Sequence, residues 1–250
     1  KHHSLLLGSL LALTGAAMLF SLLSGSAQIS INQIMSHFAS PETGLTSQIL
    51  DQIRIPRTLA AFSVGSLLAM SGVAMQVLLR NPLADPYILG VSGGAAVGAL
   101  SAILLGASSF LLVSLAFAGA LGSTLIVFGI SNPFNNQSMT RLLLTGVVVS
   151  AGWGAVINLI LTTSTSNTVQ SMLFWLMGDL SQSTVSFGHF ILIALGLVGG
   201  IWIAKSLNVL SRGDSVAVSL GVNVNLLRMF LYFSASIFTA VAVTIGGSVG

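Results

Sequence analysis

The chain has 250 residues, 54% of them hydrophobic and 5% charged, with a mean hydropathy of +0.98. A soluble domain carries about 25% charged residues. Eight Lys and Arg with five Asp and Glu cannot clothe a water-facing surface, which excludes a soluble globular enzyme, and the apolar content excludes a disordered chain. The absence of cysteine removes disulfide scaffolds, thiolate metal sites and cysteine nucleophiles. A net charge of +3 from scattered basic residues forms no nucleic-acid patch. The class that remains is an all-α polytopic membrane protein.

Seven apolar runs follow in chain order: Leu5–Leu23, Thr58–Leu79, Tyr87–Gly106, Phe110–Ile130, Leu142–Thr162, Phe187–Ala204 and Leu226–Ile245. Each approaches the roughly 20 residues that an apolar helix needs to cross a bilayer. None alternates with period two, so a β-barrel is not expected. Ser24-Gly25-Ser26-Ala27 resembles a signal-peptide cleavage site, but the first run exceeds the about 7–15 residues of a signal core and reads as a retained span. With the N-terminus inside, the inner loops hold Lys1, Arg80, Arg141, Lys205, Arg212 and Arg228, and the outer side holds Arg54 and Arg57. That asymmetry follows the positive-inside rule, so the N-terminus is expected in the cytoplasm.

Three connections are longer than turns. The outer stretch Ser24–Arg57 carries Ile29, Ile31, Ile34, Met35 and Phe38, enough for a short interfacial helix. A second outer stretch, Thr163–Ser186, contains the apolar run Met172–Met177, which is too short to span and suits a re-entrant or interfacial helix. The inner stretch Ser206–Asn225 mixes Leu207, Leu210, Val216 and Leu220 with Arg212 and Asp214. It predicts two short amphipathic helices, the second capped by Asp214 or Ser215, and a docking surface for a soluble partner.

Gly90, Gly94 and Gly98 recur at four-residue spacing and allow close helix approach. A second small stripe runs Gly146, Ser150, Gly154, Asn158 and Thr162. It either packs against a neighbouring helix or lines a pathway for a bulky solute. No Asp or Glu lies inside any apolar run, and His189, near the start of the sixth, is the one histidine within them. An ion-coupled carrier therefore lacks its usual intramembrane carboxylate or histidine. No phosphate-binding Gly-x-x-x-x-Gly-Lys-Ser/Thr loop occurs, so any ATP would be bound by another chain. The four histidines lack metal-ligand spacing, and the Ser and Thr residues show no base–carboxylate partner. No metal site, cofactor or catalytic residue is expected.

Two adjoining segments carry more than composition. Arg54-Ile55-Pro56-Arg57 leads into Leu59-Ala60, Gly65, Leu68-Ala69, Ser71-Gly72 and Gln76. Arg80-Asn81-Pro82-Leu83-Ala84-Asp85-Pro86 follows, then Leu89-Gly90 and Gly93-Gly94-Ala95. Together they resemble the FecCD family, the permease subunits of ABC importers for iron–siderophore complexes, haem and vitamin B12. Leu210-Ser211-Arg212-Gly213-Asp214, then Ala217 and Ser219-Leu220-Gly221-Val222, resemble that family's coupling loop, although the family more often has an apolar residue in place of Arg212.

The resemblance implies a type II importer permease fold, with about seven of its ten transmembrane helices in this chain. Residues 1–250 would form one permease domain, incomplete at the C-terminus, with 206–225 as its cytoplasmic coupling loop. It further implies a second permease subunit, expected to be an identical copy, and two ATP-binding subunits. An extracytoplasmic substrate-binding protein and membrane lipid complete the expected partners, with no nucleic acid. Arg54 and Arg57, one or both, would dock the binding protein. Arg212, Gly213, Asp214, Leu220 and Gly221 would couple to the ATPase, and Gly146, Ser150, Gly154 and Asn158 would line the pathway. Two prolines close together enforce a sharp reversal, so Asn81, Pro82, Asp85 and Pro86 are expected to shape the turn beside the gate, the Asn and Asp as caps. The expected cargo is a metal chelate, iron–siderophore foremost, with cobalamin and haem as alternatives, carried across a bacterial cytoplasmic membrane.

Overall fold

Every regular element among the described residues is helical in the computed structural model, which describes residues 2–39, 44–131, 138–181, 183 and 185–248. Among the described residues, six helices are long and apolar enough to cross a membrane: Ser4–Leu23, Leu45–Leu79, Ser109–Ser131, Thr140–Thr163, Phe187–Leu210 and Val224–Gly246. The described chain forms two compact units, Lys1–Phe62 with Leu180–Val185, and Ser63–Asp179 with Ser186–Gly250.

The first unit contains α1 (His2–Leu23), α2 (Ile31–Ala39), α3 (Leu45–Ile49), a π-turn (Leu50–Arg54) and the start of α4 (Ile55–Leu79). The expected interfacial helix is α2, in which Ile34 is buried while Ile31, Met35 and Phe38 remain exposed. Ile29, Ile34 and Leu50 form a small core with Leu22, Leu23, Ile49 and Ile55 around it. The second span starts earlier than its apolar run suggests, because α3, the π-turn and α4 join into one helix. Pro56 explains the π-turn. Its ring opposes the carbonyl four residues back and it offers no N–H. The wider turn, in which Ile55 N–H bonds Leu50 O, opens the ladder just before the proline.

In the second unit, α5 (Val91–Leu104) lies among α6 (Ser109–Ser131), α7 (Ser138–Thr163) and α11 (Val224–Gly246). The run expected over Tyr87–Gly106 is divided into a 3-10 turn (Pro86–Leu89) and the 14-residue α5. Asp85 caps the 3-10 turn by accepting from Tyr87 N–H at 2.7 Å, and Gly90 then takes the left-handed conformation, φ 71°, that separates the two pieces. At about 1.5 Å per residue α5 is shorter than the roughly 30 Å hydrocarbon layer.

Glycine lets α5 and α6 touch backbone to backbone. A Cβ on Gly94 would stand 2.3 Å from Gly119 O, and one on Gly98 would stand 2.1 Å from Leu115 O. Dispersion across such contacts holds helices together where lipid removes the hydrophobic incentive. Met75, Leu89, Val91, Val127, Leu231 and Val243 fill the surrounding core. Ser71 Oγ lies 2.7 Å from Thr239 Oγ1 and donates to Ala235 O at 2.8 Å, so α4 and α11 are also joined by buried polar contacts.

The remaining elements are α8 (Ser166–Met177), α9 (Phe187–Leu210) and α10 (Asp214–Ser219). Met172 of α8 is buried while Phe174 and Met177 are exposed. The loop expected over Ser206–Asn225 carries one short helix rather than two. Leu207 and Leu210 extend the core-facing side of α9, so the first of the two predicted helices is the last turn of that span. Asp214 does not cap α10 either. Gly213 occupies the N-cap without a side-chain bond, and the Asp214 carboxylate is drawn elsewhere by two arginines.

Candidate functional site

The π-turn decides what happens to the first pair of predicted residues. Arg54 is only 6% exposed. Its Nη1 donates to Leu22 O at 2.6 Å and to Leu23 O at 3.2 Å, and its Nη2 donates to Ala27 O. The first two acceptors end α1, where helix carbonyls lack intrahelical partners and the dipole favours a cation. Gly25 makes the pocket possible, since a Cβ there would stand 2.6 Å from Nη2. Arg57 is exposed. The two guanidinium groups therefore do not form a common surface: one closes a local fold and the other faces outward.

The second predicted cluster is a pair of capped turns. Asn81 Oδ1 accepts from Leu83 N–H at 2.9 Å, and Asp85 Oδ1 accepts from Tyr87 N–H as described. Pro86 is buried at the first position of the 3-10 turn, whereas Pro82 is exposed. A shallow cleft of about 310 Å³ lies against this turn, lined by Gln76, Pro82, Leu83, Asp85 and Tyr87 among others.

The predicted coupling residues separate by exposure. Arg212, Leu220 and Gly221 are exposed, with Val218 beside them, so α10 and its flanks offer an apolar and cationic surface. Asp214 instead faces its own chain. Arg80 Nη2 donates to Asp214 Oδ1, and Arg228 Nη2 donates to Oδ2 at 2.5 Å. The Arg228 side chain is 14% exposed, and its Nε has no hydrogen-bond partner among the described residues. Two guanidinium groups thus share one carboxylate, leaving a single net positive charge.

The small-residue stripe of α7 also divides. Gly146 is buried against the 3-10 turn, where a Cβ would stand 2.4 Å from Ile88 O. Ser150 Oγ is buried and lacks a hydrogen-bond partner among the described residues. A Cβ on Gly90 would stand 3.2 Å from it. Gly154 has open space around it and Asn158 is exposed. The first two therefore sit at a contact within the chain, and the last two face away from it.

A model of the FecCD transport family matches residues 10–250. The chain belongs to the FecCD transport family. This FecCD-family chain is 36% identical over 220 residues to a Helicobacter pylori protein named as an iron chelatin transport system permease, covering 87% of this chain and 67% of that one. It is 34% identical over 234 residues to the molybdate import system permease of Haemophilus influenzae, covering 90% and 69%. With the vitamin B12 import system permease of Salmonella typhi the identity is 39% over 210 residues, covering 80% and 62%. Among solved structures, an inward-facing ABC transporter of metal-chelate type superposes with a TM-score of 0.81 at 30% identity, over 98% of this chain and 77% of that one. The FecCD-family chain thus spans about two thirds of the length of these sequence relatives, on a type II permease fold.

Two groupings escaped the sequence reading. Arg80 entered it as an inner-side cation and the first residue of a motif, and Arg228 as an inner-side cation, yet both meet Asp214, Arg80 from 134 positions away. Asp214, the one acidic residue of the stretch 206–225, was the available signal, since a carboxylate taken partly out of water needs partners. The other is a serine–histidine–carboxylate cluster. His37 Nε2 lies 2.9 Å from Asp51 Oδ1, and Ser47 Oγ lies 3.0 Å from His37 Nδ1 and donates to Asp51 Oδ2 at 3.3 Å. Because the serine also bonds the aspartate directly, the cluster joins α2 to the helix that begins with α3. His189 completes a local cap, accepting from Ser186 N–H at 2.9 Å through Nδ1.

Proposed function

We propose that this chain is a transmembrane permease subunit of a binding-protein-dependent ABC importer, moving a metal chelate, iron–siderophore foremost, into the cytoplasm. The observation that carries the proposal is family membership over residues 10–250, joined to a fold shared with a metal-chelate type ABC transporter. The similar permeases are named for iron chelatin, vitamin B12 and molybdate, so cobalamin is the first alternative cargo.

In this reading residues 1–250 belong to one permease domain in a bacterial inner membrane, with the N-terminus inside. The excess of Lys and Arg on that side supports the orientation. The complex would contain a second copy of the permease, two ATP-binding subunits that hydrolyse ATP, and an extracytoplasmic binding protein. Arg57, exposed at the start of α4, would meet a carboxylate of the binding protein. Guanidinium–carboxylate pairs supply orientation as well as attraction. Arg54 would hold the local fold from which Arg57 projects.

On the cytoplasmic side, the exposed Arg212, Val218, Leu220 and Gly221 would receive an ATP-binding subunit, while Gly213 breaks the chain ahead of α10. The turn of Asn81, Pro82, Asp85 and Pro86 would shape the gate, with Gly146 and Ser150 seated on or beside its 3-10 continuation. Gly154 and Asn158, which face away from the chain, would line the pathway opposite the second permease. ATP-driven motion would then shift the population of two arrangements of rigid helices.

The test is uptake by the complete transporter in proteoliposomes, offered a ferric siderophore, cobalamin and haem in turn with the cognate binding protein. ATP-dependent accumulation of the ferric siderophore is expected. Accumulation of cobalamin or haem in its place would assign the alternative cargo.

A further inference from the structure

The contact of Asp214 with Arg80 and Arg228 places one carboxylate between three elements: the end of α4, the first residue of α10 and the first turns of α11. We propose that Asp214 is a linkage residue that fixes α10 to the cytoplasmic ends of α4 and α11, so that displacement of α10 is passed to both spans. This rests on the coupling role proposed for residues 206–225 and gives Asp214 a task other than touching the ATP-binding subunit.

The backbone at Arg80 supports the assignment independently. Asn81 N–H bonds Gln76 O at 3.2 Å and Arg80 N–H bonds Val77 O at 3.4 Å, the paired bonds of a Schellman stop. That motif places its first residue beyond the helix in the left-handed region, where glycine is usual. Arg80 stands there with φ 48°, the one non-glycine residue with positive φ among those described. A stop alone would be served better by glycine, so the arginine is accounted for by its side chain, which reaches Asp214. Arg228 supplies a second reason, since its largely buried guanidinium has Asp214 as its one carboxylate partner among the described residues. The linkage is therefore charged at every point, with Arg80 holding α4 and Arg228 holding α11.

Arg80→Gly separates linkage from folding, because it preserves the turn and removes only the side chain. In the assembled transporter in proteoliposomes, the number of solute molecules taken up per ATP hydrolysed should fall about tenfold in Arg80→Gly, with the ATP-binding subunits still co-purifying. Asp214→Asn should give a similar fall. The double variant should be no worse than the more affected single one, as expected for residues that act through one contact. An unchanged uptake ratio in Arg80→Gly would overturn the proposal, as would falls that multiply in the double variant. Loss of the ATP-binding subunits from Asp214→Asn alone would also overturn it, by making Asp214 a docking contact. Leu220→Asp examines the parent reading separately: the ATP-binding subunits should dissociate from it. If they remain bound and coupled, residues 206–225 are not the coupling loop, whatever Arg80→Gly does.

Discussion

Two arginine sites in this chain solve the same physical problem in opposite ways. Arg54 is buried and meets three backbone carbonyls, with no carboxylate partner among the described residues. Arg80 and Arg228 meet one shared carboxylate at the loop helix, where Arg80 and Asp214 remain part-exposed. Carbonyls at a helix end are rigid, so the Arg54 pocket fixes one geometry. A shared carboxylate on a six-residue helix joins elements that can move together. The first arrangement suits a static brace and the second suits transmission.

Substitutions can break this contrast, and the largest effect is expected at Arg54. Arg54→Met strands carbonyls in the first unit, and a hydrogen bond to a charged group contributes about 1.5–3 kcal/mol. A loss of about 3 kcal/mol or more in the stability of the detergent-solubilised chain is expected in chemical unfolding. A loss under about 1 kcal/mol would mean that the pocket is not a brace. Asp214→Asn should cost less, about 2 kcal/mol, because only Arg228 is left largely buried without its counter-charge. The same unfolding measurement checks it, and equality with Arg54→Met would erase the distinction between the sites.

Arg80→Gly should be nearly neutral, within about 1 kcal/mol. A part-exposed ion pair contributes about 0–1 kcal/mol, and relief of the left-handed backbone offsets that loss. Its stability should therefore stay near wild type while uptake per ATP falls, a divergence that Arg54→Met does not predict. The smallest change in stability is expected for Arg57→Glu, within about 0.5 kcal/mol for an exposed position. Its effect should appear in binding, as weaker association of the loaded binding protein in a titration. Unchanged affinity would remove Arg57 from the docking surface.

Periodicity and composition made the long spans legible, because a run of apolar residues has few alternatives to a helix. The apolar runs over Phe110–Ile130 and Leu142–Thr162 lie inside α6 and α7, and Leu226–Ile245 lies inside α11. The places where hydropathy misled have local causes. Polar residues between Leu45 and Arg57 hid a helix that is continuous with α4. Asp85, Pro86 and Gly90 delay the start of the third helix to Val91, although each is a turn former visible in the sequence. Arg54 and Arg57 are three residues apart, a spacing that would place both side chains on one face of a regular α-helix. A π-turn ahead of Pro56 is not visible in hydropathy, and neither is the carbonyl pocket that draws Arg54 inward. The Asp214 contacts were harder to read for another reason: Arg80 pairs with it across 134 positions, and no helical period links the two.

The central claim, import powered by ATP on partner subunits, is tested most directly by uptake under opposed energy sources. Proteoliposomes holding the complete transporter and its binding protein would be given a ferric siderophore with ATP inside, while the proton and sodium gradients are collapsed. The account predicts that accumulation continues and requires both ATP and the binding protein. Accumulation that survives removal of ATP but stops when the gradients collapse would contradict it.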